Sequence, residues 1–509
     1  MHDPLISTGD LQQVSARNRD AAPLRQPQQH EPRSQAISGG LIQPLPLWFW
    51  GVTIGLALLG SRAKYPALSV GSALLLPFMS CLLRFKGESP ILLGCCVMQW
   101  LQVVTPVIYC DFHRVTFEDA FAFPEMAKAT QLSLWGIAVL TVGIRISLGQ
   151  WRAAPAAMER ESRAISMSRL AKLWWITFFI TSILGRFAWR GGSLMQVLVA
   201  IGNIKWVVFY MLTYKVLTGH EGSRTLVAAL LLDFAKGMLG FFGSFKEVLF
   251  MFLVGVMTSA RSLSFRVRCM SITVITAGLM ASVFWSAIKI EYRSYLQDTW
   301  AKQREDIPIT EKIAMLKKIS SRTEGGIMNV GIDRLLARLS YTQWFGATIA
   351  HVPSLVPYEG GTLWLDAIKH VLMPRLLFPN KAILDDSART AKFTGVDIAG
   401  AESNTSIGIG YMAESYVDFG PYGMMVPIFL LGLLMGAIYR YFTLQNSSRL
   451  WGTAIATAVL STLLLAYAAE GVKILGGLIG CSIVMWLLNI VVGAKLKRWL
   501  TEQATAGQR

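Results

Sequence analysis

The sequence predicts an all-α, polytopic integral membrane protein with about twelve transmembrane helices and one large extracytoplasmic helical loop. Three observations lead to this fold class. Hydrophobic residues make up 53% of the 509 residues, charged residues only 16%, and the mean hydropathy is +0.45, which lies outside the range of ordinary soluble domains. Apolar runs near twenty residues, each able to cross ~30 Å of hydrocarbon, recur along the chain. One long connection, residues 291–422, interrupts them.

The chain begins with a polar tail, residues 1–43, which is rich in Gln, Arg and Pro and too poor in apolar residues to pack. We expect this tail to be disordered and cytoplasmic. An N-terminal transmembrane bundle at 44–290 follows, and after the long loop come C-terminal transmembrane helices at 423–494 and a basic cytoplasmic tail at 495–509. The predicted spans are 45–60, 66–83, 90–109, 131–150, 173–189, 194–214, 225–242, 248–260, 269–288, 423–440, 451–468 and 473–494.

The distribution of lysine and arginine predicts the orientation of these spans. The basic connections at 151–172 and 261–268 fall on the same side of the membrane as the C-terminal tail, whereas the acidic connection at 110–125 falls on the other side. Basic connections favour the cytoplasm, so both termini are expected there and the long loop at 291–422 outside. The net charge of +17 is then mainly a topology signal and a match to anionic membrane lipid, and no nucleic-acid partner is expected.

The remaining composition excludes several classes of site. The six cysteines follow neither a disulfide framework nor a zinc-binding spacing. No internal repeat, P-loop, kinase signature or dinucleotide-binding glycine motif is present. We therefore expect no zinc site and no ATP-driven activity.

The long loop itself reads as several helices. The segment EDIPITEKIAMLKKISSRT has an apolar face, and GIDRLLARLSYTQWFGATIAHV and LWLDAIKHVLM continue the helical pattern. Two prolines in PRLLFPNK break it, and GVDIAGAESNTSIGIG is typical of a loop. Loops of this length are often functional.

One segment of the loop carries a family resemblance. PRLLFPNK (374–381), a Ser/Thr-rich stretch and GYMAESYVDFGPYG, followed by a terminal group of spans, resemble the O-antigen and exopolysaccharide repeat-unit polymerases (Wzy-like). The matching pattern is Gly-x-x-x-Glu-x-Tyr-x-x-Phe-Gly, with Gly410, Glu414, Tyr416, Phe419 and Gly420 in its fixed positions. The resemblance covers about residues 370–440 and is architectural elsewhere.

The resemblance implies a membrane glycosyltransferase of the bacterial plasma membrane that requires no metal and no cofactor. Such an enzyme uses undecaprenyl-diphosphate-linked oligosaccharide repeat units as donor and acceptor in the synthesis of cell-envelope polysaccharide, and a chain-length co-polymerase is an expected partner. The reaction needs cations for the leaving diphosphate, a general base for the acceptor hydroxyl and a groove for the polyprenyl tail.

The cations are expected among arginine and lysine side chains of the loop, because guanidinium groups hold phosphate oxygens in two-point contacts. Arg375 is the first candidate, since it lies between a proline and an apolar run. Arg334 and Arg338 are better explained as a solvated helix face. The full set of candidates is Arg334, Arg338, Arg375, Lys381 and Arg389.

Glu414 is the leading candidate for the base, because a partly desolvated carboxylate gains proton affinity. A structural alternative is that Glu414 caps a helix or pairs with an arginine to hold the loop on the bundle. Tyr411 and Tyr416 offer surfaces on which sugars stack, and His370, one turn from Asp366, is a further substrate-binding candidate.

Two alternative functions stay open. An O-antigen-type ligase would move finished glycan to another acceptor by the same chemistry. A transporter or flippase of lipid-linked glycans would be expected to show repeated halves and broken helices, and one dominant outer loop without a repeat favours the enzyme.

Overall fold

The computed structural model describes residues 45–188, 194–219, 221–239, 245–260, 264–296, 307–322, 327–373, 377–378, 380–381, 385–397 and 407–501. Every regular element in these ranges is a helix, which confirms the all-α prediction for this part of the chain. The predicted N-terminal tail, residues 1–43, lies outside the described residues.

Twenty-two α-helices follow one another along the described chain. They are α1 Leu47–Gly60, α2 Pro66–Leu83, α3 Ile91–His113, α4 Phe117–Phe121, α5 Met126–Leu148, α6 Pro155–Ala164, α7 Met167–Ala188, α8 Met195–Gly202, α9 Ile204–Gly219, α10 Ser223–Leu239, α11 Phe245–Ser259, α12 Phe265–Leu296, α13 Ile309–Arg322, α14 Ile327–Leu339, α15 Thr342–His351, α16 Thr362–Leu372, α17 Asp386–Thr394, α18 Tyr411–Gly423, α19 Met425–Gln445, α20 Arg449–Leu460, α21 Gly471–Leu488 and α22 Ala494–Thr501.

Seven helical stretches in the described ranges are long and apolar enough to cross a membrane, so the chain is a membrane protein by this measure. They are Pro66–Leu83, Ile91–His113, Met126–Leu148, Met195–Gly219, Val267–Tyr295, Met425–Gln445 and Gly471–Thr501. The other five predicted spans fall on α1, α7, α10, α11 and α20, which are shorter or less apolar.

The bundle has two ends with different polar contacts. At the first, which we call the motif end, α15 packs against the start of α5, and Gly346 approaches the Pro124 carbonyl so closely that a Cβ would lie 2.4 Å from it. At the second, the Arg449 end, the Arg449 guanidinium lies 3.2 Å from the Glu88 carboxylate. Glu161 caps α20 there by accepting from the backbone N–H of Arg449 at 3.0 Å. The acidic and basic connections that predict orientation thus lie at opposite ends.

Helices α5 and α19 run side by side in the same direction and join the two halves of the sequence. Their backbones touch through glycines: a Cβ at Gly143 would lie 2.5 Å from the Phe429 carbonyl oxygen, and one at Gly432 would lie 2.4 Å from that of Leu140. Small residues allow this approach, as is common between membrane helices.

The loop prediction agrees with the structure in its helices and differs in two places. The segment predicted as one helix over 331–352 is divided at Ser340 and Tyr341 into α14 and α15, and α17 forms in a stretch for which no helix was predicted. The described part of the basic tail predicted at 495–509 is helical. Its first residues continue the last helix through a π-helical turn, Asn489–Gly493, into α22, and the Leu500 carbonyl accepts from the Ser166 N–H at 2.9 Å.

Candidate functional site

The glycines and aromatic residues around Glu414 lie in and just before α18, at the motif end. Gly410 adopts φ 87°, and a Cβ there would lie 2.4 Å from the Tyr467 carbonyl oxygen, so glycine is required. The next residue, Tyr411, donates its backbone N–H to the Ala469 carbonyl at 2.8 Å. These contacts seat α18 against the segment that precedes α21.

The Glu414 carboxylate caps the N-terminus of α21. Its Oε2 accepts from the Gly471 backbone N–H at 2.6 Å, and the side chain is buried. Gly471 permits this approach, because a Cβ there would lie 3.2 Å from Oε2. The positive end of the helix dipole and the unpaired N–H groups of the first turn both favour a carboxylate at this place.

Asp418, one turn further along α18, caps another helix in the same way. Its two carboxylate oxygens accept from the backbone N–H groups of Leu363 at 3.1 Å and Trp364 at 2.9 Å, in the first turn of α16. The Trp364 indole also donates to the Ser415 hydroxyl at 3.0 Å. One face of α18 therefore holds two helix N-termini.

Arg389 on α17 connects Glu414 to a second buried carboxyl. Its Nη1 lies 3.5 Å from Glu414 Oε1 and 3.9 Å from Glu470 Oε2. Glu470 is 1% exposed. Asp386, on the same helix as Arg389, forms an ion pair with Lys473 and lies close enough to Glu470 to act on its pKa. We call Asp386, Glu414 and Glu470 the acidic cluster.

The acidic cluster has more carboxyl groups than cations beside it, and it is largely excluded from water. Burial raises the pKa of Glu470 far above its usual range, and the neighbouring Asp386 and Glu414 carboxyl groups act in the same direction. Burial also raises the pKa of Glu414, against the opposing effects of the Gly471 N–H and Arg389. The cluster can therefore hold a proton that an ordinary carboxylate would release.

Tyr411 and Tyr416, which the sequence suggested as sugar-stacking residues, lie in the interior. The Tyr411 hydroxyl donates to Gln99 at 2.7 Å, and the Tyr416 hydroxyl donates to the Val352 carbonyl at 3.2 Å. Both side chains are almost fully buried, because apolar faces of both rings are used in packing. Tyr422, by contrast, is 90% exposed.

Two cationic side chains predicted to bind the diphosphate donate instead to backbone carbonyls away from the acidic cluster. Arg334 donates to the Ala287 carbonyl and so joins α14 to α12. Lys381 donates to the carbonyls of His370 and Met373, and it caps the end of α16. Lys381 is therefore placed next to His370 in the fold.

The leading predicted cation, Arg375, lies outside the described residues, and so does the side chain of Arg338. Arg389 is the one predicted cation that the described structure places beside Glu414. Within the described ranges, no group of three or more His, Cys, Asp or Glu residues is arranged to hold a metal ion.

Sequence reasoning missed the roles of three carboxyl groups. The sequence alone does not indicate the roles of Asp386, Asp418 and Glu470, and Lys473, three residues after Glu470, contacts Asp386. The spacing of Glu414 and Asp418 was a usable signal, since residues four apart share one helix face. The Asp385–Asp386 pair before SART was another, because Asp385 caps α17 by accepting from the Ala388 N–H at 3.1 Å.

Residues 92–467 match the family described as "Domain of unknown function (DUF8712)". The chain belongs to this DUF8712 family. The matched region contains Asp386, Arg389, Glu414 and Asp418 and ends before Glu470. No curated protein and no solved structure matches the chain.

Proposed function

We propose that this DUF8712 protein is a membrane glycosyltransferase that polymerises undecaprenyl-diphosphate-linked oligosaccharide repeat units. The observation that carries the proposal is the placement of Glu414, at the centre of the polymerase-like pattern, in a buried cluster beside Arg389. Its pKa is raised towards neutrality by burial, as a general base that works near neutral pH requires.

In the proposed reaction the acceptor hydroxyl oxygen bonds to the anomeric carbon of the donor sugar. The bond from that carbon to the diphosphate oxygen breaks, and undecaprenyl diphosphate leaves with the electron pair. Glu414 takes the hydroxyl proton. Arg389 stabilises the Glu414 carboxylate before the transfer, and Arg375 is proposed to face the negative charge that develops on the diphosphate.

The proposal also includes a topology with more membrane spans than the seven helices that are long and apolar enough by themselves. The five shorter or less apolar helices complete a set of twelve spans, with both termini cytoplasmic and the motif end outside. The charges of the connections support this arrangement. The basic connection at 151–172 lies at the Arg449 end, and basic connections favour the cytoplasm. Lipid-linked repeat units would then reach Glu414 from the outer leaflet.

A ligase and a transporter are the competing functions. A ligase would use the same base with a different acceptor. A transporter is favoured by one observation, the buried acidic cluster, since a protonatable group of this kind is typical of proton-coupled transport.

The test uses the purified protein in proteoliposomes with labelled lipid-linked repeat units, and products are resolved by length. Wild type is expected to form longer chains, and Glu414→Gln is expected to lose at least ~10²-fold in rate at normal folded yield. The matched control is Glu159→Gln, because Glu159 is an exposed partner of Arg163 at the Arg449 end, and it should retain activity. Unchanged polymerisation by Glu414→Gln would exclude it as the base. Movement of intact repeat units across the bilayer without elongation would favour transport.

A further inference from the structure

A groove runs along the bundle surface between α2 and α5, on a side of the molecule that the proposed chemistry does not use. It encloses about 940 Å³, within the range of small-molecule and lipid sites. Its walls are apolar, with Leu74 and Phe78 on α2 and Leu134 and Trp135 on α5. Trp135 is 62% exposed, so the groove opens sideways, towards the lipid.

Two lysines stand at one end of this groove. Lys64 precedes α2, and Lys128 lies in the first turn of α5, so both are at the motif end. Both side chains are exposed. The Lys64 charge acts on Asp119, but that carboxylate already accepts from the Thr116 hydroxyl at 2.6 Å.

The depth of the groove matches one leaflet of a bilayer. From Lys64 to Phe78 the chain rises ~20 Å along α2, at about 1.5 Å per residue, and half of a ~30 Å hydrocarbon core is about 15 Å. The lysines therefore stand at headgroup level when the apolar walls lie beside acyl chains. Gln131, one turn below Lys128, offers an amide at the depth of the ester groups.

Nearby aromatic contacts hold the lysine end in place. The Tyr65 ring stacks on Phe117 with 4.4 Å between ring centroids, and the Tyr65 hydroxyl accepts from the Phe117 backbone N–H at 3.0 Å. The groove mouth is thus formed before a ligand arrives.

We propose that this groove binds one anionic phospholipid, with the phosphate between Lys64 and Lys128 and an acyl chain along Leu74, Phe78 and Trp135. Two ammonium groups at headgroup level attract a negative headgroup, and a neutral lipid gains only the apolar contact. Lipid binding in this groove is additional to the proposed glycosyltransferase activity. The opposite face of α5, at Ser133, contacts the Tyr467 hydroxyl at 2.7 Å, beside the segment that holds Glu414.

The experiment is native mass spectrometry of the full-length protein released from mixed micelles that contain equal phosphatidylglycerol and phosphatidylcholine. Wild type is expected to retain one phosphatidylglycerol in preference to phosphatidylcholine. The double variant Lys64→Ala with Lys128→Ala is expected to lose this preference by about tenfold. Lys312→Ala, which changes a lysine on α13, is the charge control and should behave as wild type.

A second variant tests the apolar part of the site. Gly71 lines the groove, and a Cβ there would lie 4.0 Å from Leu134, its nearest neighbour, so Gly71→Leu fills the groove without displacing a backbone. It should reduce retention of either lipid, whereas Gly51→Leu, at a site with nothing within 4 Å of a Cβ, should not. Equal retention of both lipids by wild type, or unchanged phosphatidylglycerol retention in the lysine double variant or in Gly71→Leu, would overturn the proposal. Size-exclusion chromatography verifies that each variant is folded.

Discussion

Glu414 and Asp418 lie one turn apart on α18, and each carboxylate caps the N-terminus of a different helix. Glu414 accepts from the Gly471 N–H at 2.6 Å and Asp418 accepts from the Trp364 N–H at 2.9 Å. One short helix thereby fixes both α16, from the long loop, and α21, from the C-terminal bundle. The residue proposed as the base is thus also part of the joint that holds the loop in place.

The first prediction concerns the cap made by Asp418. Asp418→Ala leaves two buried N–H groups without an acceptor, so we expect a loss of about 1–3 kcal/mol in unfolding free energy. Asp418→Asn keeps one acceptor and should lose less. Thermal unfolding in detergent measures the effect, and Asp366→Ala, at an exposed position on α16, is the control. Equal melting temperatures for Asp418→Ala and Asp366→Ala would contradict this account of the cap.

The second prediction follows from the raised pKa of Glu470. The folded protein favours the protonated form of Glu470. The contribution of Glu470 to stability is therefore complete below its pKa in the unfolded chain, about 4.5, and is lost as the pH rises towards its pKa in the folded protein. Glu470→Gln cannot ionise, so it should be more stable than wild type at alkaline pH and close to it at acidic pH. Melting temperatures measured from about pH 5 to pH 9 test this. Parallel curves for the two proteins would show that Glu470 does not hold the proton.

The third prediction concerns Arg389. Arg389→Ala leaves the Glu414 carboxylate without its cation, and breaking a buried ion pair costs up to about 3–5 kcal/mol. The loss should shrink at acidic pH, where the carboxyls are protonated, and Glu414→Gln in the same chain should restore part of the stability. Lys392→Ala on the same helix breaks an exposed pair with Glu359 and should cost less than about 1 kcal/mol. Additive effects of Arg389→Ala and Glu414→Gln would argue against their coupling.

The fourth prediction concerns the orientation of the two ends. In a variant without native cysteines, Tyr422→Cys lies at the motif end on a 90% exposed position, and Arg163→Cys lies at the Arg449 end with a 75% exposed side chain. An impermeant thiol reagent should label the first in intact cells and the second only after permeabilisation of the plasma membrane. The reverse pattern would place Glu414 on the cytoplasmic side and would remove the basis of the polymerase proposal.

The sequence was sufficient for the features that depend on local pattern. Seven of the twelve predicted apolar runs coincide with helices long and apolar enough to cross a membrane. Helices α13 and α16 form in loop segments whose pattern predicts a helix. The sequence also indicates Glu414 as the leading candidate for the base, with the alternative that it caps a helix or pairs with an arginine, and the geometry contains both contacts.

The rest depends on contacts between residues far apart in the chain. Glu414 and Gly471 are separated by 57 positions, and nothing in either local pattern indicates that they meet. Tyr411 and Tyr416 have the composition of a sugar-binding surface, yet their burial is decided by the neighbouring α15 and α3. The partner of Lys473 could not be deduced for the same reason, because Asp386 lies far from it in the chain.

The glycine contact between α5 and α19 has a consequence for the order in which this protein can be completed during synthesis. Gly143 belongs to the first third of the chain, but the backbone that covers it, at Phe429, is made only near the end. Until the ribosome has passed α19, the small-residue face of α5 is covered by lipid or by the insertion machinery. A nascent chain that terminates before residue 425 would therefore expose this face and be a substrate for membrane quality control.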